Sequence, residues 1–320
     1  MNFGFKLEDL GKILIISFNK DIPNSKRFSS ELVNDNVILD IENGKKMIGT
    51  KGDSIVYEVY HLGKTLDKFN SVYKKTNLLC DLTLLNFGVF STSDDGELFM
   101  TYGHLHETAV GEAYTVLKNE CFFVLTDKNS YKTYIVHLRE GDSILVHPRF
   151  IHKMVSFKKD CLVVNFVPEK AGHNYGIVKN KGFPFHLFYK NAKLEIVKNE
   201  RYKTGEFELI KKVFSKIDPE KIFEKEPEKL KDILENPEKY KNLYFIGDQI
   251  YSMKPEQIFG VNAGKVWQTL KSKGPMSVEK ISKLTKLKSN DIFGALGWLG
   301  RENKIQVIDN GKETLYKLNE

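Results

Sequence analysis

The sequence predicts a mainly β domain at the amino end, an α-helical connector after it, and a small α+β module at the carboxyl end. Up to about residue 200, apolar residues come in short β-type runs, and from about residue 203 short helical segments replace them. The last sixty or so residues have the pattern of three helices followed by two strands. We expect these parts to cover residues 1–200, 201–258 and 259–320.

The first part is predicted to be an all-β sandwich or barrel. Its apolar runs recur roughly every 8–15 residues and are separated by Gly, Asp, Asn and Ser, which is typical of such folds. The predicted strands are 54–60, 78–90, 121–125, 133–138, 143–146 and 161–167. Segments 91–96 and 126–130 are predicted to be loops or hairpin tips.

The connector is predicted to be helical and solvated. Pro, Glu and Lys dominate it, and several of its segments begin with a proline, which favours the first turn of a helix. The predicted helices are 206–217, 219–225, 227–234 and 237–243.

The carboxyl-terminal part has the element order of a winged helix-turn-helix. Helices are predicted at 262–270, 278–285 and 291–302, with Gly274 and Pro275 ending the first and Ser277 capping the second. Strands at 304–308 and 313–318 then flank Asp309-Asn310-Gly311, a strong hairpin signal. We expect Trp267 and Trp298 to be core residues of this module, because they lie among apolar helix positions.

Composition favours a cytoplasmic protein with no membrane segment. Of 320 residues, 41% are hydrophobic and 28% charged, as in ordinary globular proteins. No apolar run approaches the roughly 20 residues that a spanning helix needs, and no export signal is visible. Cys80, Cys121 and Cys161 are odd in number and widely spaced, as expected of buried thiols in a reducing compartment.

The positive charge is concentrated in the last module. Eleven Lys and Arg residues stand against six Asp and Glu between 259 and 320, so most of the net charge of +7 lies there. Lys280, Lys283, Lys286 and Lys288 give the second and third helices a basic approach to a phosphate backbone. The third helix, however, has few of the side chains that read base edges, so DNA or a protein partner both remain open.

Six of the eight histidines lie between His104 and His173, and three of them form a metal-ligand pattern. Residues two apart in a strand share a face, so His104 and His106 can point at one ion. Glu112 adds an oxygen ligand, and His152 joins from another strand. Three imidazoles and one carboxylate suit a borderline divalent ion with open coordination positions, which favours chemistry over a structural role.

Four stretches of the first part resemble the cupin superfamily and, within it, the archaeal cupin-type glucose-6-phosphate isomerases. They are residues 55–60, residues 101–114, residues 141–152, and Ala171-Gly-His-Asn-Tyr-Gly176 followed by Lys181-Gly-Phe183. The last stretch is the most specific, because other cupins lack it after the barrel. The resemblance covers roughly residues 50–200 and implies a double-stranded β-helix, or jelly-roll, barrel.

The resemblance also implies roles for individual residues. His104, His106, Glu112 and His152 match the metal ligands, and the ion would be Fe, Mn, Ni or Zn. Phosphate contacts fall on Thr83, Thr101, Gly103 and Tyr175. Glu112, His173 and Tyr175 are the candidate catalytic residues, with His173 assisting ring opening or proton transfer. The implied reaction interconverts glucose 6-phosphate and fructose 6-phosphate, and a divalent ion would acidify the proton on C2.

The sequence departs from this family in several places. The spacing from His106 to Glu112 is one residue shorter, and the turn at 91–96 is longer. Asn119 replaces a glycine and tolerates the same left-handed backbone. Val167 replaces a tyrosine that helps to hold the phosphate, and Asn165, Arg149 or Lys153 could compensate. Four histidines outside the pattern are expected to be structural or surface residues, namely His61, His137, His147 and His186.

Two other functions remain open. The first is a transcription regulator whose cupin senses a sugar phosphate and whose winged helix binds DNA, which the Val167 replacement and the basic tail favour. The second is another cupin reaction such as oxygen-dependent dioxygenation, against which the segment at 172–176 argues. The resembled enzymes form dimers, and whether this chain also forms a homodimer is left open by the sequence.

Overall fold

The computed structural model describes residues 2–203, 205–211, 215–247, 259–309, 311 and 313–319. Contacts between residues divide the chain into two compact units, residues 1–249 and residues 250–320. The first unit is mostly β and the second is helical with one hairpin.

The first unit contains fifteen strands and five α-helices among the described residues. The strands are β1 (Phe5–Asp9), β2 (Leu14–Phe18), β3 (Asn24–Phe28), β4 (Ile55–His61), β5 (Leu78–Leu85), β6 (Gly96–Glu97), β7 (Glu112–Lys118), β8 (Glu120–Asp127), β9 (Thr133–Arg139), β10 (Ser143–Val146), β11 (Phe150–Ser156), β12 (Cys161–Pro168), β13 (Phe185–Lys190), β14 (Lys193–Lys198) and β15 (Phe207–Ile210). The helices are α1 (Ser29–Asn34), α2 (Ile41–Lys51), α3 (Asp67–Thr76), α4 (Pro219–Lys225) and α5 (Pro227–Glu235), with short 3-10 turns at Glu169–Ala171 and Lys241–Leu243.

Two sheets form the barrel. One has the order β10-β7-β12-β5-β4-β3, and the other has the order β11-β8-β9-β15. Apart from the parallel pair β15–β9, all neighbours in these two sheets are antiparallel. A three-stranded sheet, β14-β13-β6, and the hairpin β1-β2 complete the unit. The predicted cupin-type jelly-roll is therefore confirmed.

Side chains alternate across the central strands, which separates the barrel interior from an outer core. On β12, Leu162, Val164 and Phe166 belong to the outer core, whereas Asn165 lines the interior cavity described below. The outer core includes α3, α4 and α5, and the ring centroids of Phe166 and Phe223 are 4.5 Å apart. The six-stranded sheet therefore has helices on one face and a polar site on the other.

The helices expected to form a solvated connector pack against the barrel instead. α4 and α5 lie where helices were predicted, but α5 buries Leu230, Ile233 and Leu234 in the outer core. The helix predicted at 206–217 is wrong, because residues 207–210 form β15, which pairs with β9, and residues 212–214 lie outside the described part. Of the helix predicted at 237–243, only the 3-10 turn at its end is observed.

The second unit has the element order that was predicted for a winged helix-turn-helix. It consists of α6 (Val261–Lys273), α7 (Val278–Thr285), α8 (Ser289–Arg301), β16 (Ile305–Asp309) and β17 (Thr314–Leu318). Gly274, with φ near +79°, ends α6 in a backbone conformation that favours glycine. Trp267 and Trp298 pack against a core formed by all three helices, as predicted.

Cys80, Cys121 and Cys161 are free and buried, as expected. Within the described residues, no helix is both long enough and apolar enough to cross a lipid bilayer.

Candidate active site

The four predicted metal ligands converge in the first unit. His104, His106, Glu112 and His152 each offer one ligand atom, and these atoms all lie within 4.8 Å of one another. His104 and His106 lie between β6 and β7, Glu112 opens β7, and His152 is on β11. The structure thus brings together groups that are far apart along the chain.

His104 and His106 do not lie in a regular strand, which differs from the prediction. Their segment is extended but makes only isolated bridges, of which one joins His104 to His152. The amide N–H of His104 donates to the carbonyl of His152 at 3.1 Å, and the amide N–H of His152 donates to the carbonyl of His104 at 3.0 Å. The imidazoles of His104 and His106 lie in the same ligand group, so the geometry inferred from strand alternation holds without a regular strand.

Backbone carbonyls orient the two more buried imidazoles. Nδ1 of His106 lies 2.7 Å from the carbonyl of Val110, and Nδ1 of His152 lies 3.3 Å from the carbonyl of Phe150. With an ion bound, Nδ1 of each ring would carry the proton and Nε2 would give its lone pair to the ion, as is usual for metal-binding histidines.

Glu112 is the centre of the hydrogen bonds in this group. Its Oε2 lies 3.0 Å from Nε2 of His106 and 3.3 Å from Nε2 of His152. Its other oxygen accepts a 2.7 Å bond from Nδ2 of Asn165. The carboxylate is therefore fixed at both oxygens, which suits a ligand.

The electrostatics also favour a charged carboxylate: burial would lower the pKa of His106, but its hydrogen bond to Glu112 outweighs this and raises that pKa. Burial alone would raise the pKa of Glu112, but the bonds from His106 and His152 outweigh it and hold that pKa well below its usual range. Burial lowers the pKa of His104 well below its usual value, so this ring is neutral near pH 7.

One buried atom in the group has no partner. Nε2 of His104 has no hydrogen-bond partner in the structure, although it is buried. Leaving such an atom unpaired costs about 1–3 kcal/mol. A divalent ion would satisfy it, and the three-histidine, one-carboxylate set suits Fe, Mn, Ni or Zn. The residues present therefore fit a metal site.

The ligand group opens into a cavity of about 290 Å³, near the lower end of the range typical of small-molecule sites. Seven other residues noted in the sequence line the same cavity: Thr83, Thr101, Gly103, Tyr114, Asn165, His173 and Tyr175. His106 contributes to the ligand group but is not among the described residues that line this cavity.

The predicted phosphate contacts lie on neighbouring segments of the cavity wall. Thr101 accepts a 2.9 Å bond from the amide of Met154 through Oγ1, which leaves its hydroxyl proton available for a ligand. Gly103 has φ near +80°, and an added Cβ would lie 2.6 Å from the ring of Phe183. Only glycine therefore fits at this position without displacing that ring.

His173 and Tyr175, two of the predicted catalytic residues, lie beside the ligands. The ring centroids of His173 and His104 are 4.4 Å apart, and Tyr175 stacks on His173 at 5.7 Å. Tyr175 is 37% exposed, so it lies at the mouth of the cavity.

Arg27 on β3 and Tyr57 on β4 line the cavity, although the sequence did not predict either for the site. Arg27 contacts the rings of Tyr102 and Tyr175 at 5.4 Å and 6.0 Å, and it bonds Glu31 at 2.7 Å. Its Nε lies 3.4 Å from the hydroxyl of Tyr57. The alternation of Arg27 and Ser25 on one face of β3 becomes a signal only when β3 is known to be a strand.

His61 was expected to be structural or on the surface, but it lines the cavity together with Ser25 and Asp81. The other three histidines outside the pattern are not among the residues that line it. Of these, His186 is fully buried and bonds Glu97, and His137 bonds Glu120.

Val167, the departure from the family pattern, packs with Val110 and Ala171 and does not line the cavity. Two of its three expected substitutes are already engaged. Asn165 bonds Glu112, as described above, and Arg149 pairs with Asp127. Lys153 lines the cavity, but its ammonium lies 2.8 Å from the sulfur of Met100.

In the second unit, the basic residues noted in the sequence lie on or near α7. Lys283, Lys286 and Lys288 are exposed, and Lys280 lies 3.8 Å from Glu313. The exposed side of α8 carries Phe293, which is 54% exposed. DNA binding by this unit stays a prediction.

Two protein families match different parts of the chain. A family described as winged helix-turn-helix domain (DUF2582) matches residues 253–318. The glucose-6-phosphate isomerase from Thermococcus litoralis is 26% identical over 167 residues, which is 52% of this chain and 81% of that protein. The enzyme of the same name from Pyrococcus abyssi is 26% identical over 193 residues, 59% of this chain and 95% of that protein.

A solved oxalate oxidase structure is similar over 37% of this chain and 53% of that protein, with 16% identity and a TM-score of 0.29. The family described as glucose-6-phosphate isomerase matches residues 26–204, more than half of the chain. The chain therefore belongs to the glucose-6-phosphate isomerase family, with a winged helix-turn-helix domain at its carboxyl end.

Proposed function

We propose that this chain is a metal-dependent aldose–ketose isomerase that interconverts glucose 6-phosphate and fructose 6-phosphate. The observation that carries the proposal is the convergence of His104, His106, Glu112 and His152 beside a cavity that the predicted phosphate contacts also line. Membership of the isomerase family supports the same reaction.

The four converging side chains would hold the divalent ion. An ion at this position would supply a Lewis acid, which would acidify the proton on C2 and stabilise the developing enediolate. Asn165 fixes the carboxylate of Glu112 through its second oxygen, so Glu112 acts first as a ligand. His173, beside His104 at the cavity wall, is placed to contact the sugar hydroxyls.

The remaining polar wall would hold the phosphate. Thr83, Thr101 and Gly103 supply hydroxyl and backbone donors, which bind a dianion without adding a competing base. We add Arg27 and Tyr57 to this set. The guanidinium keeps its charge at all relevant pH values and is held in place by Glu31 and by two aromatic rings.

Replacement of Arg27 by alanine is expected to raise KM for glucose 6-phosphate roughly 10- to 100-fold, because a charge-assisted hydrogen bond contributes about 1.5–3 kcal/mol. The turnover number is expected to change little, since phosphate binding is shared by the ground and transition states. Steady-state kinetics and inhibition by inorganic phosphate measure both effects. Arg139→Ala, an exposed arginine on β9, is the matched control. A KM within twofold of wild type would exclude Arg27 from the phosphate site.

The proposed activity is tested by removing metal with a chelator and restoring Fe, Mn, Ni or Zn separately. Formation of fructose 6-phosphate is followed in a coupled assay, and bound metal is measured on the same samples. We expect turnover to disappear with the metal and to return with at least one ion. If metal binds and no ion gives turnover, the isomerase proposal is wrong, and a gel-shift assay then tests the regulator alternative.

A further inference from the structure

Three polar side chains on adjacent strands form a continuous hydrogen-bonded line in the cavity wall. Oγ of Ser25 on β3 lies 2.9 Å from Nε2 of His61 on β4, and Nδ1 of His61 lies 3.1 Å from Oδ1 of Asp81 on β5. All three line the cavity, and none has a role in the function proposed above.

The strand register explains how this line forms. His61 pairs directly with Asp81 across β4 and β5, and Ser25 pairs with Val59, two residues from His61. Thr83, a predicted phosphate contact, is two residues from Asp81, so strand alternation puts both on the cavity face of β5. The line is therefore a direct continuation of the phosphate-binding wall.

The two ends of the line face different surroundings. The side chain of Asp81 is 16% exposed. Burial lowers the pKa of His173, and the negative charge of Asp81 partly opposes this shift. The side chain of His61 is 43% exposed, and Ser25 is exposed. The line can therefore exchange protons with solvent at one end while it borders the substrate cavity.

The charges around His61 favour its protonated form. The hydrogen bond to Asp81 raises its pKa, and partial burial opposes this only in part. Among the groups facing it, Ser25 on β3 is neutral and Asp81 on β5 is the charged neighbour, while Glu112 and His173 stand elsewhere on the cavity wall. A protonated imidazole held by a carboxylate is suited to general acid catalysis near neutral pH.

We infer that His61 is a second acid–base group of this site and that it protonates the ring oxygen of the cyclic sugar phosphate during ring opening. Asp81 is the positioning residue for this step. The inference rests on the proposed function, because an aldose phosphate must open its ring before the carbonyl can move from C1 to C2.

The protons of this step balance. The proton on Nε2 of His61 passes to O5 as the C1–O5 bond breaks, and the hydroxyl proton on O1 leaves to water as the aldehyde forms. His61 then regains a proton from solvent on the side of Ser25. No oxidant or further reactant is required.

The experiment separates ring opening from isomerisation in the metal-loaded protein. Exchange between the α and β anomers of glucose 6-phosphate is measured by NMR above the uncatalysed rate, and fructose 6-phosphate formation is measured in parallel. We expect His61→Asn to lower catalysed anomer exchange by about 100-fold, in the range for loss of a general acid, without changing metal content. His137→Asn is the matched control, because His137 also bonds a carboxylate, Glu120 at 2.8 Å, but does not line the cavity.

A pH profile distinguishes acid catalysis from a structural role. Asp81→Asn keeps the side-chain shape but removes the charge that raises the pKa of His61. The protonated acid should then be lost at lower pH, so the alkaline limb of anomer exchange is expected to move towards acid. A purely structural role of Asp81 would lower the rate without moving this limb.

The outcomes keep this inference distinct from the proposed function. If wild type forms no fructose 6-phosphate with any metal, the proposed function fails, whatever His61 does. If wild type isomerises but does not speed anomer exchange, or if His61→Asn retains exchange within threefold, only the inference is overturned. Hydrolysis of p-nitrophenyl acetate that disappears in Ser25→Ala would assign the three side chains to acyl transfer and would also overturn it.

Discussion

Replacement of His152 by alanine is expected to abolish both tight metal binding and isomerase turnover. His152 offers one of four ligand atoms that lie within 4.8 Å of one another, and the loss leaves Glu112 with fewer partners in a buried site. Loss of a group that only supports a ligand typically costs 10–100-fold in metal affinity or activity, so loss of a ligand should cost more than about 100-fold. Metal analysis of the purified protein and a coupled fructose 6-phosphate assay measure the two effects.

The control for this variant is His137→Ala. His137 is a half-buried histidine of the same barrel, it bonds Glu120, and it is not among the residues that line the cavity. It should retain wild-type metal content and turnover. If His152→Ala keeps one equivalent of metal and normal kinetics, the assignment of the ligand group is wrong, because His152 is one of the four residues that form it.

The metal-ligand pattern was readable in the sequence because its members carry unusual chemistry at close spacing. His104 and His106 are two residues apart, and His152 follows a typical Gly-Asp turn and strand. The structure reaches the same geometry through a bridged segment in place of a regular strand. The identity of such residues is therefore more predictable than the element that holds them.

The Ser25, His61 and Asp81 line could not be predicted in this way. Each residue is unremarkable alone, and the three are separated by 36 and 20 positions along the chain. They meet only because β3, β4 and β5 are neighbours in one sheet. Pairing between distant strands is the information that periodicity in a single segment does not contain.

Secondary structure was also predicted better from local signals than where distant segments meet. The boundaries of α7 were predicted correctly, since Ser277 precedes this helix and Gly274 and Pro275 end the preceding helix, α6. In contrast, α2 was missed because Gly44 and Gly49 weaken its helical signal. An added Cβ at Gly44 would lie 2.8 Å from both Val33 and Ile38, so the glycine is required by packing. β15 was predicted as helix because its parallel partner, β9, lies about seventy residues earlier.

Replacement of Glu97 by alanine is expected to destabilise the first unit by about 3–5 kcal/mol, because it removes the acidic partner of a buried charged cluster. Oε2 of Glu97 accepts bonds from the amides of Leu39 and Asp40, at 2.7 Å and 2.9 Å. Oε1 pairs with Nδ1 of the fully buried His186 at 2.5 Å. Glu97 also provides the negative charge near Lys153, which is 1% exposed.

Burial lowers the pKa of Lys153 to about 7, and the charge of Glu97 opposes that shift. Without Glu97, Lys153 loses the negative charge that stabilises its protonated form. Two buried amides and one imidazole also lose their hydrogen-bond acceptor. Each unsatisfied group costs about 1–3 kcal/mol, partly offset by entering water. Glu97→Gln keeps an acceptor oxygen and should therefore cost less than Glu97→Ala.

The free energy of unfolding of the first unit is measured by chemical denaturation, monitored through the circular dichroism of the tyrosines. The only two tryptophans, Trp267 and Trp298, lie in the second unit, so their fluorescence reports unfolding of that unit separately. Glu120→Ala is the matched control: it also removes a glutamate from a histidine, His137, but its side chain is 26% exposed and should contribute less than about 1 kcal/mol. Equal losses in the two variants would mean that burial of the Glu97 cluster adds no stability beyond that of the partly exposed Glu120–His137 pair.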